Sequence, residues 1–220
     1  MFIPYKVDVP MKRWPLANIA IIGMTVAMFL GLLNTVIQKY DLPPPESMIL
    51  DGWDLPGMFG HIVLHADWMH LLGNMIFLWV FGNAVCAKIG NICYPALYVG
   101  LGLCAAAAHN YFDGGLALGA SGAVNGVVGL YLVLYPLNSV SCIYFVFRRP
   151  GTFSIPDFWI ILLWLAFDIL GVAMGDQGVG YWAHLGGFGA GFVIGILLLS
   201  LGLIEMEPTE RSLLNLEAAN

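Results

Sequence analysis

The sequence predicts an all-α membrane protein: a bundle of six transmembrane helices with both termini in the cytoplasm. Three observations carry this. The chain of 220 residues is 60% hydrophobic and only 10% charged, where a soluble domain carries about 25% charged residues. It contains six apolar runs of the length a bilayer core demands, about 20 residues of helix. And seven of its eight basic residues fall on one side of those runs, the asymmetry that orients membrane proteins.

The runs cover roughly residues 17–37, 69–87, 92–111, 118–135, 157–174 and 181–204. They divide the chain into a cytoplasmic segment 1–16, a six-span domain 17–204 and a short cytoplasmic tail 205–220. Lys6, Lys12 and Arg13 precede the first span, Lys88 follows the second, Arg148 and Arg149 the fourth, and Arg211 the sixth; only Lys39 falls outside. Trp14 and Trp159 suit the inner interface, and Trp53, Trp68 and Trp182 the outer one. Residues 1–16 have no apolar core leading to a small-residue cleavage site, so the first span is expected to serve as the insertion signal. The net charge of −6 argues against nucleic acid, which needs a basic patch. Cys86, Cys93, Cys104 and Cys142 form no CxxC pair and are expected to be buried free thiols packed as small hydrophobes.

This orientation brings polar residues to one depth. Spans two, four and six all run from outside to inside. His70 and Asn74 open span two, Ser121 opens span four, and His184 lies in the first turn of span six. Ser121 to Tyr135 makes about 22 Å of helix at 1.5 Å per residue. That is short of a hydrocarbon core of about 30 Å, and it sets Ser121 about 8 Å below the outer interface. The residues from Gly114 to Gly119 would then be irregular chain dipping into the membrane, tolerated only where protein or a water cavity satisfies it.

Ionisable groups inside spans invite functional readings. Ser121, in Gly119-Ala120-Ser121-Gly122, is a candidate nucleophile at a helix start, where free N–H groups and the helix dipole favour an oxyanion. His184, in Ala183-His184-Leu185-Gly186-Gly187, is its candidate general base. His70 and Asn74 share one helix face and can donate to a developing oxyanion. Each has a plainer reading: a helix cap for Ser121, glycine-mediated packing around His184, interhelical hydrogen bonds for His70 and Asn74. Small residues spaced by four on span six, and Gly122, Gly126 and Gly129 on span four, would let the two spans approach closely.

The remaining polar residues read less sharply. His61, His65 and His70 lack an HExxH pattern, and no metal or other cofactor is expected. His109 reads as an interfacial residue. Asn125, one turn below Ser121, either joins the site or bonds between helices. Asp168 in span five either lines a water-filled cavity or snorkels to the interface, the second being preferred. With no carboxylate placed by sequence to orient His184, a Ser–His dyad is the economical arrangement. The outer loop 38–68 is unusually apolar and is expected to fold partly into the outer leaflet. The glycine-rich loop 175–181 over His184 reads as a mobile cap.

Three motifs in this order, His65-Ala66-Asp67-Trp68-Met69-His70-Leu71-Leu72-Gly73-Asn74, Gly119-Ala120-Ser121-Gly122 and Ala183-His184-Leu185-Gly186-Gly187, carry a resemblance to the rhomboid intramembrane serine proteases across all six spans. The resemblance implies a dyad of Ser121 and His184. It implies an oxyanion hole of His70, Asn74 and the Ser121 backbone N–H, and a structural role for His65 in the first outer loop. It implies substrates that are single-span membrane proteins, cut in or near the transmembrane segment, and lateral movement of span five to admit them. Relatives often carry an aromatic residue at the position of Asn125, packed on the catalytic histidine; here Tyr181 or Trp182 is expected to supply that packing. Two other readings stand beside it: a non-catalytic relative that binds membrane clients, and a small transporter or channel, for which no inverted repeat is visible. The lean layout points to a bacterial inner membrane.

Overall fold

A computed structural model describes residues 2–32, 46–146, 149–176 and 178–216. Residues 33–37 of the first expected span, Lys39 and Asp41, the start of the first outer loop, Arg148, and Gln177 of the expected cap lie outside them. The elements are β1 (Phe2–Val7), α1 (Leu16–Leu32), a short α2 (Leu55–Gly60), α3 (Trp68–Ile89), α4 (Tyr94–Phe112), α5 (Ser121–Leu134), β2 (Ser139–Val146), β3 (Arg149–Pro156), α6 (Asp157–Met174) and α7 (Tyr181–Ser200). Apart from α2, each helix falls on one of the six expected runs. Among the described residues α3, α6 and α7 are long and apolar enough to cross a membrane; α1 and α5 are apolar but shorter.

The all-α expectation needs correction. β1, β2 and β3 form an antiparallel sheet in that order, with β2 at the centre. In Ser139–Val146 only Ser139-Val140-Ser141 alternates by residue type, but burial alternates along the strand, with Val140 and Cys142 buried between partly exposed Ser139, Ser141 and Ile143. At eight residues it is too short to read as a span, and it lies among loop residues in the sequence. β1 is an edge strand, which is why it tolerates Pro4, and its register shifts between Pro4 and Lys6. Asp8 fixes the join: its carboxylate accepts from the Ser139 N–H and from Asn138 Nδ2, each at 2.8 Å.

The tail is also built in. Lys88 pairs with Glu210 in a largely buried contact and donates to the Glu205 carbonyl at 3.1 Å. Lys12 meets Glu207 at 2.7 Å and holds its carboxyl below the usual carboxylate range. The Leu213 N–H donates to the Val133 carbonyl at the C-terminal end of α5. Cys86 and Cys142 are buried as expected, but Cys93 and Cys104 are exposed. Cys93 is the residue just before α4 and Cys104 lies within it, about three helical turns further on.

α5 is the axis of the bundle, buried along nearly its whole length. It runs so close to α7 that a Cβ on Gly187 would strike the Gly122 carbonyl, and one on Gly191 the Gly126 carbonyl. α4 closes a third side, with Ala105 against Gly122 and Leu101 against Gly126. α6 is far less enclosed and presents Leu163, Trp164, Phe167 and Leu170 outward. A buried polar cluster sits at an irregular turn of α3. A π-helical turn at Leu78–Gly82 breaks the regular ladder, and buried Asn18 donates to the Leu78 carbonyl at 2.9 Å and to Asn83 Oδ1 at 2.8 Å. Tyr94 donates back to Asn18 Oδ1 at 2.7 Å. Gly82 leaves the room this cluster needs, since a Cβ there would press on both Asn18 and Tyr94.

Candidate active site

The chain leading to Ser121 is stitched down before the helix begins. Leu50 and Ala117 exchange backbone hydrogen bonds at 2.9 and 3.0 Å, and the Gly119 N–H donates to the His61 carbonyl at 2.9 Å. His109 donates from Nε2 to the Gly115 carbonyl at 3.2 Å and lies buried beneath the loop. This corrects its reading as an interfacial residue: it supports the irregular backbone ahead of the serine. Gly119 has φ +126°, and a Cβ there would come within 2.5 Å of His70 Nε2, so no other residue fits. Ser121 then opens α5, where the first N–H groups have no partner within the helix.

His184 sits in the first turn of α7, its backbone N–H donating to the Gly180 carbonyl. Its Nε2 lies 2.8 Å from Ser121 Oγ. Its Nδ1 lies 2.8 Å from Asp168 Oδ1 on α6. Asp168 is therefore not a snorkelling side chain. It is 6% exposed and turned into the bundle. Neutral apolar neighbours offered no motif, but a signal existed. α6 and α7 form an antiparallel hairpin, and residues equidistant from its turn face each other. Asp168 and His184 are sixteen residues apart, centred on Asp176.

Other expectations resolve residue by residue. Tyr181 meets the His184 ring edge-on, with centroids 6.3 Å apart, whereas Trp182 stacks on Phe112 at 4.3 Å. Asn125 folds back onto its own helix and donates to the Ser121 carbonyl at 3.0 Å. Asp176 organises the turn over the site, accepting from Tyr181 Oη at 2.9 Å and from the Gly178 N–H at 3.1 Å. These contacts hold its carboxyl below the usual range.

A cavity of about 590 Å³ opens beside Ser121. His70, His61, Gly119, Gly180 and Ala183 are among its walls. His70 thus reaches the serine's side of the site. Its backbone N–H and that of Met69 are capped by the Asp67 carboxylate at 2.9 and 2.8 Å, which fixes where α3 starts. Asn74 lies one turn further along α3, buried, with its amide nitrogen unpaired among the described residues, but it is not part of the cavity wall. His61 donates from Nδ1 to the Gly57 carbonyl at 3.0 Å.

His65 packs edge-on against His70, centroids 5.0 Å apart, with neither ring nitrogen hydrogen-bonded among the described residues. Burial, and then repulsion from His70, push it down to about 4. An unfolded histidine protonates near 6.5, so the unfolded chain binds the extra proton first and stability falls as pH drops from about 6.5 to about 4. The unfolding midpoint of the wild type is expected to drop over that range more than that of His65→Gln. Parallel pH profiles of the two midpoints would refute this.

The chain is similar to known proteins over most of its length. A family model described as Rhomboid domain matches residues 52–201. The mitochondrial Rhomboid protein 1 of Saccharomyces cerevisiae is 29% identical over 189 residues, covering 80% of this chain and 51% of that protein. The RHOMBOID-like protein 1 of Arabidopsis thaliana is 29% identical over 154 residues, covering 70% of this chain and 37% of that protein. The Rhomboid protease GlpG of Haemophilus influenzae is 24% identical over 172 residues, covering 78% and 83%. The chain thus spans about half or less of the yeast and plant relatives, and it matches mitochondrial, plant and bacterial proteins alike, so a bacterial inner membrane gains no support. With its apolar helices and a matched domain spanning most of its length, the chain is an integral membrane protein and belongs to the rhomboid family.

Proposed function

We propose that this protein is an intramembrane serine endopeptidase that cuts single-span membrane proteins in or near their transmembrane segment. The observation that carries the reading is the 2.8 Å approach of His184 Nε2 to Ser121 Oγ, within the bundle and beside a cavity. A hydroxyl is a weak nucleophile until a base within hydrogen-bond reach takes its proton. Ser121 attacks the scissile carbonyl while Nε2 accepts the hydroxyl proton. The tetrahedral oxyanion is met by the Ser121 backbone N–H and by His70, with Asn74 behind it as a further donor. The imidazolium then gives its proton to the leaving amine. Water, deprotonated by His184, cleaves the acyl-enzyme and restores the serine. No cofactor takes part.

In this reading six helices, α1 and α3 to α7, cross the bilayer with both termini cytoplasmic, and the cavity faces the outer side. GlpG relatives named as rhomboid proteases support the activity by analogy. The test is cleavage of a single-span protein co-reconstituted in liposomes. Wild type is expected to cleave it and Ser121→Ala to lose at least about 10³-fold in rate. A wild type that binds the substrate without cutting it would return the client-binding reading, and cleavage retained by Ser121→Ala would remove the nucleophile.

A further inference from the structure

The dyad leaves one side of His184 unexplained. Its Nδ1 meets the Asp168 carboxylate at 2.8 Å, and that carboxylate comes from α6, a helix that leaves Leu163, Trp164, Phe167 and Leu170 exposed. We infer that Asp168 is the positioning residue for His184, setting its tautomer and ring orientation from α6, so that the site is complete only while α6 is seated against α7. The inference rests on the Ser121–His184 reading.

The chemistry follows from what each atom can do. An ionised carboxylate only accepts hydrogen bonds. Facing Asp168 Oδ1, the imidazole must keep its proton on Nδ1. That leaves the lone pair on Nε2, aimed at the Ser121 hydroxyl, which is the tautomer a general base needs. When Nε2 takes the serine proton, the ring becomes a cation beside an anion, in a site where water screens little. Asp168 itself gains no proton. The other groups around the ring do not duplicate this. Ser121 on α5 occupies Nε2. Tyr181 on α7 presents a ring edge and spends its hydroxyl on Asp176. His70 on α3 is close enough to repel a charged His184, and His109 on α4 lies beside Gly180. Among the described residues Asp168 is the acceptor at Nδ1.

Burial points the same way. A carboxylate at 6% exposure within an apolar helix is costly unless paired, and its partner is His184. The contact also tethers α6. At the outer end α6 holds α7 through Asp168–His184 and through Gly171, which lies directly under the Tyr181 ring. At its inner end the buried Asp157 accepts from Tyr131 at 2.5 Å. Moving the outer half of α6 away would carry the carboxylate off the histidine.

The experiment compares wild type, Asp168→Asn and Asp168→Glu as full-length protein in liposomes. It measures kcat and KM for a single-span substrate, and the second-order rate of labelling by a small fluorophosphonate, which needs an activated serine but no helix entry. Asp168→Asn is nearly isosteric, and its amide can donate to Nδ1 and impose the wrong tautomer. In a soluble serine protease the equivalent change costs about 10⁴-fold. Here kcat and the labelling rate are expected to fall together, at least about tenfold, with KM within about threefold of wild type. Asp168→Glu is expected to recover part of both, and it keeps the test open should the amide disturb folding. Rates within about twofold of wild type in both variants would overturn the inference while leaving the dyad intact. So would a loss confined to KM with labelling preserved, which would make Asp168 a tether alone. A wild type that neither cleaves nor labels would instead remove the reading on which the inference stands.

Discussion

The double variant Ser121→Ala/His184→Ala is expected to cleave a reconstituted substrate no more slowly than either single variant, each of which loses at least about 10³-fold in kcat/KM. The reason is the shared 2.8 Å contact. Ser121 without a base keeps its proton and attacks poorly. His184 without a nucleophile has nothing to activate. Residues that act as one unit lose their effect together, and their free-energy costs do not add. What survives in all three variants is the contribution of the oxyanion donors and of substrate binding, which His70 and the N-terminus of α5 still supply. Two independent roles would give a double loss near the product of the single losses, and that outcome would separate the residues. KM for the three variants is expected to stay near the wild-type value, since neither side chain is needed to seat the substrate helix.

The parts legible in the sequence were those written in long-range chemistry. Serine, histidine and glycine among apolar residues are costly or loosening in a membrane, so their presence carries information, and the distribution of lysine and arginine put Ser121, His184 and His70 at one depth before any contact was known. Features written in short or symmetric patterns were not legible. The strand Ser139–Val146 alternates only over its first three residues and then runs apolar, and eight residues are too few to stand out in a span-length window. Asp168 stands in no motif; its meaning comes from the α6–α7 hairpin placing it opposite His184. Asn125 had two open readings and His109 was misread as interfacial, because hydrogen-bond partners are a property of the fold. Asn125 bonds its own helix and His109 bonds the loop beneath the cap. The tail 205–216 read as a polar appendage because the cation that anchors it, Lys88, lies more than a hundred residues earlier.

Gly187→Val is expected to abolish cleavage and to lower the unfolding midpoint, while Gly189→Ala two residues away changes neither by much. Gly187 lies one turn below His184, and a Cβ there would collide with the carbonyl of Gly122, the neighbour of Ser121. The obstacle is backbone, so no rotamer change relieves it; α5 and α7 must separate. A shift of about 1 Å stretches a 2.8 Å hydrogen bond beyond the range in which it holds, and misplacement of that size costs on the order of 10²-fold in rate even where the fold survives. Helices in a bilayer gain little from burying apolar surface against each other and depend instead on close packing of small residues, so the same wedge also weakens the fold. Gly189 points away from α5 and a Cβ there meets nothing within 4 Å, which makes it the control for glycine loss without wedging. Cleavage is the first readout and the unfolding midpoint in detergent the second. A Gly187→Val protein that cleaves at the wild-type rate would mean that the closeness of α5 and α7 is not what holds Ser121 and His184 together.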